Sequence, residues 1–255
     1  QGAIKYYAGM VSDLSFRKAA DKKLDYLLNY DDLTKLANRV QFKDQLHRAL
    51  VRYRDEGMPF ALVMLDIDRF KQFNDSFGHE ASDQLLCDIA ARLSQNIQKV
   101  DILARVGSNE FGCVVGCSPT FNIHKFAQRL FETVTQNHYE IAGQGVALSC
   151  SVGVALVPEH AQDIEILMQF AALAVQKAKF KGGDQIQIFD ESLKSFSREK
   201  LEMEHELRSA LENGELEVFY QPKMDLNTQN ALIATTPKTA PHERISLTAK
   251  SIFDA

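Results

Sequence analysis

Residues 105–115 read RVGSNEFGCVV, a short polar segment between two apolar runs. Gly107, Ser108 and Asn109 favour a tight turn, because glycine adopts positive φ and short polar side chains bond to nearby backbone. The flanking runs, DILARV and FGCVVG, are typical of two paired strands. The stretch therefore predicts a β-hairpin with a lone acid, Glu110, at its tip. Taken alone, this is an ordinary surface turn, and its significance depends on what the fold places beside it.

The segments around this hairpin alternate between extended and helical patterns. FALVMLDID, residues 60–68, is a short apolar run that predicts a buried central strand. Further strands are expected at 146–158 and 185–189, and helices at 32–57, 81–98, 123–138 and 163–182. The order β-α-β-β-α-β after an opening helix predicts an α+β sandwich of the α/β class. We expect a ferredoxin-like layout with the helices on one face of the sheet.

The composition indicates a globular domain. With 255 residues, 45% of them hydrophobic and 25% charged, the chain can bury one large core. Its net charge is −5 and no basic stripe in the sequence offsets it, which argues against a protein that coats nucleic acid. The four cysteines form no C-x-x-C pair, so we expect buried, reduced thiols in a cytoplasmic protein. The chain begins with Gln1 rather than Met, so we expect a piece of a longer protein. It lacks a long apolar run, so we expect any membrane tether of that protein to lie elsewhere.

Two carboxylates stand at the end of the expected central strand. Asp66 and Asp68 are two residues apart, which in a strand places them on the same face. In the predicted layout, the hairpin tip with Glu110 lies beside them. Hard oxygen ligands of this kind bind Mg²⁺, which bridges the phosphate oxygens of a nucleotide, and Lys71 follows closely enough to contact a phosphate. A solvated strand end and an ordinary surface lysine explain the same residues without a ligand.

Five segments in order resemble the GGDEF domain, the diguanylate cyclase family: DDLTKLANR, DIDRFKQFNDSFGHEASDQLL, ARVGSNEF, SVGVALVP and AKFKGG. The resemblance covers residues 31–190, with GSNEF in place of the signature GGDEF. It implies the cyclase and polymerase-palm fold with an N-terminal linker helix. The family joins two GTP molecules into cyclic di-GMP across a homodimer of two half-sites. It uses Mg²⁺ or Mn²⁺ to do so.

The resemblance also implies roles for individual residues of this chain. The metal ligands would be the Asp66 carboxylate, the Ile67 carbonyl and the signature position Asn109. The residues that hold the triphosphate and the guanine base would be Arg69, Phe70, Lys71, Asn74, Asp83 and Lys179. Asp83 suits guanine because a carboxylate accepts two parallel hydrogen bonds from N1–H and N2–H₂. Within the signature, Gly107, Ser108, Asn109, Glu110 and Phe111, the catalytic positions would be Asn109 and Glu110.

The signature departs from the family pattern at two positions. The third position is an acid in the family, where it ligates metal and helps to deprotonate the attacking 3′-hydroxyl, and here it is Asn109. An amide brings no charge and accepts no proton, so we expect the rate to fall by orders of magnitude. The second glycine of the signature is Ser108, whose Cβ is expected to crowd the nucleotide or strain the turn.

Other family positions are also substituted. Ala172, Gln176 and Gly183 stand where the family usually has Asp, Tyr and Arg, and Ser82 replaces a glycine. The R-x-x-D motif for product inhibition reads Gln98-Lys99-Val100-Asp101 here. Asp101 therefore remains as a remnant of that site without its arginine, and Lys99 is offset by one position. Together these departures predict a degenerate GGDEF domain with weak or absent catalysis and retained nucleotide binding.

The flanks resemble pieces of two other signalling domains. Residues 1–30 resemble the last strand of a PAS domain followed by a signalling helix. Residues 191–230 resemble a linker and the start of a truncated EAL domain, the cyclic di-GMP phosphodiesterase. The later metal carboxylates of that domain are absent, so we expect no phosphodiesterase activity from this chain. Residues 231–255 match no family that we recognise and form an unassigned tail.

Three functions are consistent with these patterns. In the first, the domain binds GTP with Mg²⁺ and regulates neighbouring PAS and EAL domains of a longer parent chain. In the second, it is an active diguanylate cyclase despite Asn109. In the third, it binds no nucleotide and serves as a dimerisation scaffold.

Overall fold

The computed structural model describes residues 26–98, 101–136, 138–141, 143–213, 221–224 and 231–234. The helices are α1 (Arg39–Glu56), α2 (Phe70–Gln95), α3 (Ile123–Thr135), α4 (Ile164–Phe180) and α5 (Ser192–Glu212). The strands are β1 (Phe60–Ile67), β2 (Ile102–Arg105), β3 (Glu110–Gly116), β4 (Tyr139–Ile141), β5 (Gln144–Val146), β6 (Cys150–Val157), β7 (Gln185–Ile188), β8 (Gln221–Met224) and β9 (Ala231–Ala234). Residues 1–25 of the predicted PAS segment, 214–220 and 225–230 of the predicted EAL segment and 235–255 of the tail lie outside the described residues.

A five-stranded sheet of order β2-β3-β1-β6-β7 forms the centre of the domain. The apolar strand β1 lies in the middle and pairs antiparallel with both β3 and β6. Strand β7 extends the sheet by parallel pairing with β6, after the crossover through α4. Strands β2, β3, β1 and β6 lie in the order of a ferredoxin-like fold. The prediction of this fold class and of a buried central strand is therefore confirmed.

Helices cover both faces of the sheet, so the prediction of a single covered face is wrong. One core packs α2 and α3 against β1 side chains such as Val63 and Leu65. A second core packs α1 and α4 on the opposite face, against side chains such as Leu62. Successive residues of β1 point to opposite faces, and both faces are buried, which explains why this strand is apolar almost throughout.

Three predicted element boundaries are also wrong. Helix α1 begins at Arg39 rather than at residue 32, because the Asn38 side chain accepts the first free amides as an N-cap. Helix α2 begins at Phe70 rather than at residue 81 and bends at Gly78, which has φ 83°. The strand predicted at 146–158 begins at Cys150 rather than at residue 146, and Val146 instead ends β5, which forms a small separate hairpin with β4. No helix in the described part of the chain is long and apolar enough to cross a bilayer.

Helix α4 packs unusually close to β6 at Gly153. A Cβ atom at this position would overlap the Ala171 carbonyl oxygen and lie 2.6 Å from the Val175 nitrogen. Both atoms belong to the backbone of α4, which cannot move aside without shifting the whole helix. Gly116, at the end of β3, provides a contrast because a Cβ there would meet nothing within 4 Å.

We expect Gly153→Ala to lower the free energy of unfolding by about 3 kcal/mol, because the added methyl group overpacks the interface between α4 and β6. Gly116→Ala is the matched control and should change this free energy by less than about 0.5 kcal/mol. Urea unfolding followed by circular dichroism measures both values. Equal stability of the two variants would contradict the close approach of α4 to the sheet.

Candidate functional site

The tip of the central hairpin lies against the end of β1. Asp66 and Glu110 are directly opposite each other in the pairing of β1 with β3. The Ile67 amide donates to the Asn109 carbonyl over 3.1 Å, which continues the pairing into the turn. The predicted juxtaposition of the signature turn and the strand end is therefore confirmed.

The side chain of Asn109 is directed at two oxygens of β1. Its Nδ2 atom donates to Asp66 Oδ1 over 2.7 Å and to the Ile67 carbonyl oxygen over 2.9 Å. Its Oδ1 atom accepts a hydrogen bond of 3.0 Å from the Ser108 hydroxyl. The three residues with a predicted role as metal ligands thus meet in one place, and hydrogen bonds from an amide connect them.

The second carboxylate oxygen of Asp66 pairs with Lys179. The distance from Lys179 Nζ to Asp66 Oδ2 is 2.7 Å, and the Asp66 side chain is only 8% exposed. Burial raises the pKa of the Asp66 carboxyl above its usual value, and the hydrogen bond and charge of Lys179 oppose that rise. Lys179, predicted to hold the triphosphate, therefore lies at the site but contacts a carboxylate of the protein.

This arrangement does not fit a divalent cation held by the predicted ligands. An ion bound between Asp66 and Ile67 would need oxygen atoms directed at it, and the Asn109 amide nitrogen takes that direction. The Lys179 ammonium already pairs with the Asp66 carboxylate, while burial and the charges of Glu110 and Asp68 raise the pKa of that carboxyl. Within the described ranges, no cluster of three or more His, Cys, Asp or Glu side chains is arranged to hold a metal ion.

Both carboxylate oxygens of Asp68 accept hydrogen bonds from other parts of the domain. Its Oδ1 atom accepts from the Ser151 hydroxyl over 2.8 Å, and its Oδ2 atom accepts from the Asp184 amide over 2.9 Å. A Cβ on Gly183 would lie 2.7 Å from the same Oδ2 atom. Asp68 therefore fixes the loop after α4 to the sheet, and its charge adds to burial in raising the pKa of the Asp66 carboxyl, so its pairing with Asp66 at a metal site stays a prediction.

The beginning of α2 presents free backbone amides. Arg69 precedes the helix in a left-handed conformation, φ 54°, and no side chain caps the first turn. The first amides of a helix have no intrahelical acceptor, and together with the helix dipole they attract anions. Phe70 and Lys71 begin this turn, and the Lys71 side chain is exposed. A cavity of about 430 Å³, lined by Arg69 and Phe73 among others, adjoins it.

The bend of α2 brings together two of the remaining family positions. The Ser82 hydroxyl is buried and lies 3.1 Å from Asn74 Oδ1 and 2.9 Å from the Gly78 carbonyl oxygen. Asp83 follows on the exposed side of the second half of the helix. Ser82, the residue that replaces a family glycine, therefore donates to the side-chain amide oxygen of Asn74, one of the predicted guanine contacts.

The other signature and inhibitory positions have different environments. Phe111 is 1% exposed and belongs to the core, whereas the Glu110 carboxylate folds over Gly107, where a Cβ would overlap it.

Asp101, the remnant of the inhibitory site, accepts from the Gln98 amide over 3.3 Å, and burial raises the pKa of its carboxyl. It lines a surface cavity of about 660 Å³ that also includes Arg48 and Arg52 of α1. Lys99 lies outside the described residues.

The sequence reasoning missed an ion pair that supports the signature turn. Arg105 Nη1 lies 3.2 Å from Asp31 Oδ1, and Arg105 Nη2 donates to the Ser108 carbonyl over 2.8 Å. Burial alone would raise the pKa of the Asp31 carboxyl, but hydrogen bonds from Thr34 and the charge of Arg105 hold it below its usual value. Both residues lie in segments that carry the family resemblance, and their opposite charges were the feature of the sequence that could have indicated the pair.

We expect a double-mutant cycle with Asp31→Asn and Arg105→Gln to give a coupling free energy of about 1 kcal/mol at pH 7, because the pair is largely buried. Since the folded state lowers the Asp31 pKa, the coupling is complete above the usual value of 3.8 and is lost as the pH falls through the folded value. Urea unfolding at pH 7 and at low pH measures it.

The exposed pair Arg48 and Asp44 is the control for this cycle. Its nitrogen–oxygen distance is 2.9 Å, yet its side chains are 67% and 49% exposed. Its coupling should not exceed about 0.5 kcal/mol. Equal coupling for the two pairs at pH 7 would show that the Asp31–Arg105 pair does not hold the turn.

Comparison with known proteins identifies relatives over most of the chain. The bifunctional diguanylate cyclase/cyclic di-GMP phosphodiesterase MucR of Pseudomonas aeruginosa is 34% identical over 205 residues, which are 80% of this chain and 30% of MucR. The cyclic di-GMP phosphodiesterase NbdA of the same species is 33% identical over 207 residues, 81% of this chain and 26% of NbdA. The chain thus spans less than a third of the length of either relative.

A solved structure and a family comparison agree with this result. The GGDEF domain of YfiN, also called TpbB, from Pseudomonas aeruginosa superposes with a TM-score of 0.63 at 29% identity. The match covers 66% of this chain and 99% of that structure. Residues 28–185 match the family described as diguanylate cyclase, GGDEF domain. The chain therefore belongs to the GGDEF domain family, whose members act in cyclic di-GMP signalling.

Proposed function

We propose that this GGDEF domain is degenerate and binds GTP as a regulatory module, with weak or no diguanylate cyclase activity. The observation that carries the proposal is the position of Asn109. The resemblance places an acid there, and this chain has an amide that donates to Asp66 and Ile67. The domain keeps the fold and the anion-attracting features of a nucleotide site but lacks a free acid at the signature's third position.

The loss of catalysis follows from the chemistry of the amide. An activated 3′-hydroxyl needs a group that accepts its proton, and an amide nitrogen already engaged as a donor cannot do so. Asp66 could not replace it without giving up its ion pair with Lys179. Removal of one preorganised group from a site of this kind costs a rate factor of about 10²–10³.

Nucleotide binding has separate support. The uncapped first turn of α2 presents amides to an anion, and Lys71 adds a positive charge beside them. Asp83 is exposed, so its carboxylate is free to accept hydrogen bonds from a guanine edge. Asn74 lies close by across the bend, although Ser82 donates to its side-chain amide oxygen. The charges and donors suited to GTP are thus retained where the catalytic acid is not.

The proposal includes the context of the domain. Mg²⁺ or Mn²⁺ would arrive as the counter-ion of the GTP phosphates. The names of MucR and NbdA both include phosphodiesterase, which supports a neighbouring EAL domain in a longer parent chain. A PAS domain before it is proposed from the resemblance of residues 1–30 alone. We also propose that the domain acts in the cytoplasm and forms a homodimer, as the resemblance implies, and that it contacts no nucleic acid.

We expect the purified protein to form cyclic di-GMP at a rate at least about 10²-fold below that of its Ser108→Gly/Asn109→Asp variant, which restores the acid and the second glycine. Asn109→Asp alone should recover part of this difference. Chromatographic quantification of product from GTP with millimolar Mg²⁺ measures the rates. Rapid turnover by the unmodified protein would instead establish an active cyclase.

We expect GTP to bind at least about tenfold more tightly than ATP, because adenine leaves the Asp83 carboxylate without its two donors. Asp83→Ala should remove this preference, as measured by calorimetry with both nucleotides. Asp75→Ala, which removes an exposed charge from the same helix, is the control and should retain the preference. Absence of binding by either nucleotide would leave only the role of a dimerisation scaffold.

A further inference from the structure

Two hydrogen-bond donors surround the carboxylate of Asp66. The Asn109 amide lies 2.7 Å from one oxygen, and the Lys179 ammonium lies 2.7 Å from the other. The same amide also satisfies the Ile67 carbonyl oxygen over 2.9 Å. Every oxygen that the family resemblance would offer to a cation from β1 is therefore already paired with a nitrogen of the protein.

The orientation of the Asn109 amide is fixed by its neighbours. A carboxylate and a backbone carbonyl only accept hydrogen bonds, so both require the nitrogen side of the amide. A rotated amide would place Oδ1 against Asp66 at the present distance of 2.7 Å, with two acceptors in repulsive contact. The Ser108 hydroxyl donates to Oδ1 from the other side, which is compatible with this orientation.

The partners of Asp66 also compete with a divalent ion, although, in addition to burial, the nearby charges of Glu110 and Asp68 raise the pKa of the Asp66 carboxyl. The positive charge of Lys179 compensates that of Asp66, whose side chain is 8% exposed. The nearby Asp68 is held in another direction by hydrogen bonds from Ser151 and the Asp184 amide to its two oxygens. A cation that entered would have to displace an amide and an ammonium group and would gain the Asp66 carboxylate and the Ile67 carbonyl oxygen in return.

From this geometry we infer that the Asn109 amide and the Lys179 ammonium take the place of the cation, so that the domain holds nucleotide without binding a divalent ion through Asp66 and Ile67. The inference rests on the proposed nucleotide site. It predicts binding of nucleotide that is independent of Mg²⁺, with the phosphate charge met by the first turn of α2 and Lys71. Retention of GTP in a metal-free solution is the property that distinguishes it.

The first test measures Mn²⁺ binding by electron paramagnetic resonance of free Mn²⁺, with the protein alone and with no nucleotide. The unmodified protein should leave the signal of free Mn²⁺ unchanged. Asn109→Asp adds a carboxylate and should bind Mn²⁺ at least about tenfold more tightly. Asn109→Ala, which adds no charge to a buried site, should also bind more tightly than the unmodified protein. Asn122→Asp, at the N-cap of α3, is the charge-matched control and should resemble the unmodified protein.

The second test compares GTP affinity by calorimetry in Mg²⁺ and in excess EDTA. The unmodified protein should show values within about threefold of each other, whereas Asn109→Asp should lose at least about tenfold in EDTA. Binding that requires Mg²⁺ in the unmodified protein would overturn the inference and leave the proposed function intact. If no GTP binds in either solution, the proposed function fails, and the Mn²⁺ measurement decides the inference. Mn²⁺ binding by the unmodified protein, or no gain in either Asn109 variant, would overturn it.

Discussion

A buried carboxylate at the end of the central strand is the constraint on which the rest of the site depends. Asp66 belongs to β1, which is covered on both faces, so water cannot stabilise its charge and the protein must supply partners. In a metal-dependent cyclase a cation would meet that need. Here an amide and an ammonium do so, and the identity of residue 109 decides between the two solutions.

The topology brings these partners together from distant parts of the chain. Antiparallel pairing of β1 with β3 places Asn109 beside Asp66, and the ion pair of Arg105 with Asp31 braces the turn from the other side. Close packing of α4 on β6 brings Lys179 to the same strand end. The site is therefore a consequence of strand order, and its chemistry can change at one position while the scaffold persists.

The sequence predicted the fold well because its signals are local and periodic. The apolar run of β1 and the turn at Gly107 are sufficient to identify the central strand and its hairpin. The prediction of a single covered face was wrong. The apolar pattern of a strand indicates that the strand is buried, but it does not show how the helices divide between the two faces of the sheet. The partners of Asp68 and Lys179 could not be predicted, since each choice of acceptor depends on three-dimensional distance. Asp31 and Arg105 are 74 residues apart, and only the fold shows that they pair.

A crystal structure of the domain grown with GTP and Mn²⁺ would test the central claim most directly, because the anomalous signal of Mn²⁺ locates the ion independently of the chain. We predict GTP phosphates at the first turn of α2, no ion between Asp66 and Ile67, and the Asn109 nitrogen still facing both oxygens. A Mn²⁺ ion coordinated by the Asp66 carboxylate and the Ile67 carbonyl, with Asn109 rotated to offer its oxygen, would contradict this account.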